Sequence, residues 1–183
     1  MVLHVIHLLS RTDRLDLLQA EFQDQTVTEY KIWDGVVDSE IPARGISKSH
    51  KQIVQYAKQK TMSEIMICED DIHFTAKGAF QFFMSNKPVD YDLYLGGISE
   101  SIIKKDNTVD DFSGLTIYMI NQRFYDIFLS MPENINIDRA LCSKGKFIVS
   151  NPLIAIQHNG FSDNLKRFCD FTNRFIGISF YRN

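Results

Sequence analysis

Strand and helix signals alternate through the first half of this 183-residue chain. The apolar stretch LHVIHLL at 3–9 predicts a strand, and the following TDRLDLLQAEFQD, with its apolar residues on one face, predicts a helix. A second strand (27–35), an amphipathic helix (46–60) and a third strand over SEIMICEDD come next, before helix and strand signals at AKGAFQFFMSN and YDLYLGG. Such alternation is typical of an α/β fold, so we expect a mostly parallel sheet in this half.

The second half of the chain is patterned less regularly. LTIYMI predicts a strand, NQRFYDIFLSM a helix, and KFIVSNPLIAIQHNGFSDN two short strands with a polar turn. The segments DSEIPARG (38–45) and KKDNTVDDFSG (104–114) are typical of loops. No repeat or linker divides the sequence, and chains of this length usually form one domain, so we expect a single domain over 1–183.

Composition argues against several classes of function. The net charge of −3 provides no basic field for general nucleic-acid binding. No apolar run approaches the roughly 20 residues that span a bilayer, and the N-terminus lacks the features of a signal peptide. Three widely spaced cysteines without metal-binding spacing are typical of a reducing compartment. We therefore expect a cytoplasmic protein without a transmembrane segment, and peripheral membrane association stays open.

Three adjacent carboxylates, Glu69, Asp70 and Asp71, end the apolar run of the third predicted strand. In parallel sheets, ligands bind beyond the carboxyl ends of the strands. Because residues two apart on a strand point the same way, Glu69 and Asp71 together can hold a hard cation such as Mg²⁺ or Mn²⁺, which prefers oxygen ligands. The alternative is that the acids cap the next helix or face solvent in a loop.

Basic and histidine side chains offer further candidates. Arg11 and Arg14 follow the first predicted strand at a helix N-terminus, where anions such as a diphosphate bind. His50 lies on the apolar stripe of its helix, which is equally typical of a hydrogen-bonded core histidine. The alternative for Arg14 is an ion pair that stabilises the fold, with Asp13, Asp16 or Asp34 as its partner.

The order of the motifs resembles glycosyltransferase family 25, which includes bacterial lipopolysaccharide sugar transferases and collagen galactosyltransferases. The matching stretches, which cover nearly the whole chain, are VIHLLSRTDRLDLLQ, YKIWDG, GISKSHKQIV, IMICEDDIHF, YDLYLGG, GLTIYMIN, NIDRAL and QHNGFSDN. The resemblance implies a GT-A fold, a Rossmann-like mixed and mostly parallel sheet flanked by helices, with a nucleotide-binding half (1–100) and an acceptor-side half (101–183). It also implies metal-dependent sugar transfer, with inversion, from a nucleotide-sugar donor, typically a UDP-sugar, to a glycan or other hydroxyl acceptor.

The resemblance also implies roles for particular residues. EDD takes the place of the Asp-x-Asp motif, with Glu69 and Asp71 facing Mn²⁺ or Mg²⁺, and His158 takes the place of a late histidine that joins the metal or the diphosphate. Asp138 takes the place of the general base that inversion requires. Around the donor the resemblance places Asp34, Ser49, His50 and Gly114; Arg11 and Arg14, from their position, and Asp70 are further candidates for donor binding.

Alternatives stay open for several of these roles. His158 also fits a loop histidine bonded to the backbone, Asp138 an acid that stabilises the start of a helix, and Gly114 a simple turn. Rival bases are Asp110, Asp111 and Asp163. GLTIYMI replaces the more usual small-residue version of that stretch in the family, which leaves the shape of the sugar pocket open.

Two other classes of function compete with a glycosyltransferase. One is a non-catalytic relic that binds nucleotide sugars. The other is a metal-dependent phosphoesterase, which would need more scattered His and Asp ligands, often for two metals. The acceptor, whether a lipopolysaccharide core, a capsule, a protein hydroxyl or a host glycan, is not defined by the sequence.

Overall fold

The computed structural model describes residues 1–170 and 179–182. The helices are α1 (Thr12–Asp24), α2 (Pro42–Gln59), α3 (Ala79–Ser85), α4 (Tyr125–Ser130) and α5 (Ile137–Leu141), with a 3₁₀ turn at Gln122–Phe124. The longer strands are β1 (Leu3–His7), β2 (Tyr30–Asp34), β3 (Glu64–Glu69), β5 (Leu93–Gly97) and β9 (Ile117–Asn121). The shorter strands are β4 (Ile72–Phe74), β6 (Glu100–Ser101), β7 (Thr108–Val109), β8 (Phe112–Ser113), β10 (Phe147–Val149), β11 (Ala155–Gln157), β12 (Gly160–Ser162) and β13 (Arg167–Cys169).

A seven-stranded sheet with the order β2-β1-β3-β9-β5-β10-β7 forms the centre of the described residues. Strands β2, β1, β3, β5 and β10 run in one direction, whereas β9 and β7 run against them. The mixed α/β fold with a mostly parallel sheet, expected from the alternating pattern, is therefore confirmed. Because β9 lies between β3 and β5, the second half of the chain completes the sheet begun by the first.

Strand β3 shows why the sequence signal at 65–68 is continuously apolar. Ile65 and Ile67 face a core layer shared with α2 and α4, whereas Met66 and Cys68 face a second layer shared with α1 and α3. All four side chains are at most 1% exposed. A strand covered on both faces needs apolar residues at every position, and alternation disappears.

Several predicted boundaries differ from the structure. Helix α2 begins at Pro42, four residues before the predicted start, because Pro is favoured in the first turn and its fixed φ suits a helix. The predicted helix over 121–131 is divided into the 3₁₀ turn and α4. Further short strands lie in the predicted loop at 104–114 and at 160–169. They pair with one another or with strands at the edge of the sheet. Among the described residues, no helix is long and apolar enough to cross a membrane.

Candidate active site

A cavity of about 440 Å³ opens at the carboxyl ends of β1 and β3. It lies at the edge of the sheet where ligands of parallel sheets bind. Its walls come from the loop after β2, helix α2, the start of α5 and the segment from 157 to 167. The predicted residues that line it are Arg14, Ser49, His50, Glu69, Asp70, Asp71, Gly114, Asp138 and His158.

Asp70 points away from its two acidic neighbours and is held by two basic side chains. His7 Nδ1 lies 2.8 Å from Asp70 Oδ2, and Arg14 Nη1 donates to Asp70 Oδ1 at 2.7 Å. The backbone amide of Leu8 adds a longer contact of 3.4 Å. Asp70 is only 4% exposed, and a buried carboxylate of this kind needs such partners. It joins β3 to β1 and α1.

Glu69 and Asp71 turn to a common partner on the other side. Gln157 Nε2 donates to Glu69 Oε2 at 3.0 Å and lies 3.5 Å from Asp71 Oδ1. Arg14 Nη1, already bonded to Asp70, lies 3.3 Å from Asp71 Oδ2. Burial and the neighbouring Glu69 carboxylate raise the pKa of Asp71 to about 7.

A divalent cation fits this pair of carboxylates. Burial and, after it, repulsion from Glu69 raise the pKa of Asp71, because the contact of Asp71 with Arg14 does not offset both effects. A cation between them would reverse that effect, and their oxygens suit a hard ion such as Mg²⁺ or Mn²⁺. Rotation of the Gln157 amide would add a neutral oxygen to the same set.

His50 connects Glu69 to the core. Its Nδ1 lies 2.9 Å from the hydroxyl of Tyr118, and its Nε2 lies 3.3 Å from Glu69 Oε1. Burial raises the pKa of Tyr118, so the hydroxyl stays protonated and can donate to Nδ1. In that arrangement Nε2 carries the proton and donates to Glu69. His50 is thus both a buried core residue and a wall of the cavity.

Asp138 lies in the first turn of the short helix α5. Its Oδ2 accepts a hydrogen bond of 2.7 Å from the amide of Gly114, and its Oδ1 lies 2.8 Å from the amide of Arg139. Gly114 has φ of +89°, and a Cβ there would meet the Ser99 nitrogen at 3.0 Å. Only glycine therefore suits the turn that presents this amide to Asp138.

Ser49 fixes the loop that follows β2. Its hydroxyl accepts from the amide of Val36 at 2.7 Å and donates to the carbonyl of Gly45 at 2.9 Å. A Cβ at Gly45 would lie only 2.4 Å from the Val36 oxygen, so the loop and α2 pack without room for a side chain. This contact brings Asp38, which the sequence places in an ordinary loop, to the wall of the cavity.

Arg11 and Asp34 do not line the cavity. Arg11 Nη1 donates to Asp163 Oδ2 at 2.6 Å and to the carbonyl of Phe161 at 3.0 Å, so it fastens the start of α1 to β12. Asp34 is exposed, and its backbone oxygen accepts from Gln52. Both were predicted to contact the donor. The partners proposed for Arg14 are also different, since it pairs with Asp70 and Asp71.

His158 lies against the acidic turn, but its ring faces elsewhere. Its amide donates to the carbonyl of Asp71 at 2.7 Å. Its Nε2 lies 3.4 Å from Glu21 Oε1, and its ring lies 4.6 Å from that of His73. Among residues 1–170 and 179–182, it therefore joins Glu21 and His73 in a group of ligand-type atoms, and not Glu69 and Asp71 as expected from the resemblance.

The three acids predicted as alternative bases differ in whether they line the cavity. Asp163 lines the cavity. Asp110 pairs with Lys104 and Asp111 pairs with Arg139, and neither contributes to the cavity wall.

Sequence reasoning missed four residues that shape the site: His7, Asp38, Tyr118 and Gln157. His7 ends β1 beside the predicted ligand edge, which is a usable signal. Gln157 directly precedes the predicted His158, so its place in the cavity could also have been inferred. Tyr118 reads as one more apolar strand residue, and nothing in the pattern links it to His50.

Comparison with known proteins shows the fold. No family matches the chain, and no curated protein matches it. The crystal structure of A197 from STIV covers 100% of this chain and 94% of its own, with a TM-score of 0.57 and 14% identity. The crystal structure of a glycosyltransferase involved in the glycosylation of the major capsid of PBCV-1 covers 88% of this chain and 93% of its own, with a TM-score of 0.57 and 10% identity.

A third solved structure, the inositol-1-phosphate CTP transferase from T. maritima, covers 86% of this chain and 69% of its own, with a TM-score of 0.52 and 12% identity. A glycosyltransferase and a nucleotidyltransferase thus share this architecture. The chain has a GT-A-like fold, as expected. Membership of glycosyltransferase family 25 stays a prediction.

Proposed function

We propose that this protein is a metal-dependent glycosyltransferase of the family 25 type. It transfers a hexose, with inversion, from a nucleotide-sugar donor, such as a UDP-sugar, to a hydroxyl acceptor in lipopolysaccharide or another surface glycan. The observation that carries the proposal is the arrangement of Glu69 and Asp71, whose carboxylates share Gln157 at the mouth of the cavity. The fold shared with a glycosyltransferase supports it.

In this proposal Glu69 and Asp71 hold Mn²⁺ or Mg²⁺, which supplies the Lewis acid that neutralises a leaving diphosphate. His50 orients the carboxylate of Glu69 through the hydrogen bond at Nε2. Asp70 fixes Arg14, so that its guanidinium stays at the cavity wall beside Asp71. These groups come from residues 1–100, the proposed donor side of the site.

Asp138, on the proposed acceptor side, is the general base. It takes the proton of the acceptor hydroxyl as that oxygen attacks the anomeric carbon, and the sugar–phosphate bond breaks on the opposite face. The amides of Gly114 and Arg139 hold its carboxylate in one orientation. A positioned base of this kind is worth about 10²–10⁴ in rate.

The first test is calorimetric titration with nucleotides and nucleotide sugars, with and without Mn²⁺. We expect UDP or a UDP-sugar to bind only with the metal, and Asp71→Asn to weaken that binding by about a hundredfold or more, since removal of even outer-shell groups costs 10–100-fold in metal affinity. Asp34→Asn is the matched control, because Asp34 is an exposed carboxylate outside the cavity.

Other outcomes identify the competing classes. Donor binding without transfer or hydrolysis, for every acceptor tried, indicates a relic that binds nucleotide sugars. Release of diphosphate from CTP and a sugar phosphate indicates a nucleotidyltransferase, a class that shares the fold. Metal-dependent cleavage of simple phosphate esters without nucleotide sugar indicates a phosphoesterase.

A further inference from the structure

A second group of ligand-type side chains consists of His158, which lines the cavity, and Glu21 and His73, which do not. Glu21 on α1, His73 on β4 and His158 after β11 place one carboxylate oxygen and two imidazole nitrogens within 4.8 Å of one another. Glu21 Oε1 lies 2.5 Å from His73 Nδ1 and 3.4 Å from His158 Nε2. Two separate segments of the chain therefore bring their histidines to the carboxylate of Glu21.

The surroundings fix the carboxylate of Glu21 but give His158 Nε2 no well-aligned hydrogen bond. The amide of Phe74 donates to Glu21 Oε2 at 2.9 Å, which turns Oε1 towards the two rings. His158 Nε2 is shielded from solvent and forms no hydrogen bond of proper geometry, although it faces Glu21 Oε1. A buried polar atom whose one contact is long and poorly aligned is incompletely satisfied, and a metal ion at this place would satisfy it.

The donor set differs in chemistry from that of Glu69 and Asp71. Two imidazoles and one carboxylate suit Zn²⁺ and related transition metals, which take three protein ligands and leave one position open. With bonds of 2.0–2.1 Å, tetrahedral ligand atoms lie about 3.3 Å apart. The Glu21–His158 separation already matches that spacing, and the Glu21–His73 pair needs to open by less than about 1 Å.

We propose that Glu21, His73 and His158 form a binding site for a divalent transition metal of the Zn²⁺ type, separate from the hard-cation site at the cavity mouth. His73 is partly exposed, with 44% of its side chain accessible, which gives the ion a route from solvent. This proposal does not rest on the proposed sugar transfer.

Binding there would stabilise one wall of the cavity. His158 follows β11, and its amide is bonded to the carbonyl of Asp71. A metal that joins His158 to α1 and β4 therefore fastens the segment carrying Gln157 to the N-terminal part of the chain. Its role is structural, and the bound ion does not contact Glu69 or Asp71.

The test uses the full chain, stripped with a chelator and titrated with Zn²⁺ by calorimetry and with Co²⁺ by visible absorption. We expect a single Zn²⁺ ion to bind, a tetrahedral Co²⁺ spectrum and a higher Tm with Zn²⁺. His73→Gln and His158→Gln should each weaken Zn²⁺ binding by about tenfold or more and remove the rise in Tm. Asp71→Asn and Cys142→Ser should leave both unchanged, which excludes the cavity mouth and the partly exposed thiol as the site.

Three results would overturn the proposal. One is the absence of Zn²⁺ binding by the folded wild-type chain. Another is unchanged Zn²⁺ affinity in both histidine variants, with circular dichroism reporting a native fold. The third is Zn²⁺ binding that disappears in Asp71→Asn, since the ion then sits at the site of Glu69 and Asp71. Loss of nucleotide binding while Zn²⁺ binding is retained would contradict the proposed function and not this metal site.

Discussion

Asp70 and Asp71 are neighbours in the chain, yet their carboxylates meet opposite electrostatic surroundings. On what we call the compensated side of the β3 end, Asp70 is bonded to His7 and Arg14. On the open side, Glu69 and Asp71 share the neutral amide of Gln157, Glu69 also contacts His50, and Asp71 also contacts the guanidinium of Arg14. The pKa of Asp71 is raised there by burial and by Glu69.

The difference separates folding from binding. The compensated side joins β3 to β1 and α1, and its charges are satisfied within the chain. The open side holds negative charge that the fold itself does not balance, and such unbalanced groups in a cleft are typical of functional sites. The three adjacent acids at this strand end thus divide between stabilising the fold and binding a ligand. Substitution of each acid in turn can distinguish these two roles.

The largest expected effect concerns Asp138, which lines the same cavity as Glu69 and Asp71. Asp138→Asn removes the proposed proton acceptor but keeps a side chain of the same size, so sugar transfer should fall about a thousandfold. Donor affinity should stay within about twofold, because Asp138 is assigned to the acceptor. Steady-state kinetics and calorimetry on the same preparation measure the two quantities.

Asp163→Asn is the comparison for that variant, since Asp163 is the rival carboxylate in the cavity wall. Transfer retained in Asp138→Asn and lost in Asp163→Asn, with donor binding intact in both, would assign the base to Asp163.

On the compensated side we expect substitution of Asp70 to lower the stability of the fold. Asp70→Asn removes the buried carboxylate that His7 and Arg14 both contact, so the free energy of unfolding should fall by about 3 kcal/mol. Asp71→Asn relieves repulsion from Glu69 and should leave stability unchanged or raise it. Urea unfolding of both variants in chelator-treated buffer measures the contrast. Equal losses in the two variants would contradict the division into two sides.

A smaller loss of stability is expected from substitution in the turn where the amide of Gly114 donates to Asp138. Gly114→Ala places a Cβ at positive φ and within 3.0 Å of the Ser99 nitrogen, which should cost about 1–2 kcal/mol. Thermal unfolding measures it. Gly160→Ala is the control, because a Cβ there has nothing within 4 Å. Similar Tm changes in both variants would show that the turn tolerates a side chain.

The sequence predicted the parts of this molecule that depend on local pattern. Period-2 alternation predicted that Glu69 and Asp71 point the same way; both contact Gln157 in the structure, although β3 ends at Glu69 and Asp71 lies in the turn that follows. Strand–helix alternation also predicted the sheet and the edge where the cavity lies. These features need only neighbouring residues, so a single sequence contains them.

The partners of the carboxylates could not be predicted in the same way. His7 is 63 residues from Asp70, and Gln157 is 88 from Glu69. Their meeting depends on strand order, and β9 inserts between β3 and β5 without a local signal. His158 shows the limit most clearly, because its proximity to Asp71 follows from a backbone bond while its ring turns to Glu21.

The smallest expected effect concerns Asp38, a third carboxylate at the cavity wall that is compensated by a cation. Arg44, together with the amide of Ile41, lowers the pKa of Asp38 from 3.8 to about 2. A carboxylate with a lowered pKa stabilises the fold above its unfolded value, and that contribution is lost as the pH falls through the folded value. The Tm advantage of the wild type over Asp38→Asn should therefore be constant above about pH 5 and disappear towards pH 2.

Asp34→Asn, which replaces an exposed carboxylate outside the cavity, is the control for this variant. A Tm difference for Asp38→Asn that stays constant from neutral pH to pH 2 would mean that the ionised carboxylate is not what holds the loop. Asp38 would then owe its place to the backbone contact of Val36 with Ser49 alone. Compensation by a cation would in that case stabilise the buried Asp70 and not the carboxylates of the cavity rim.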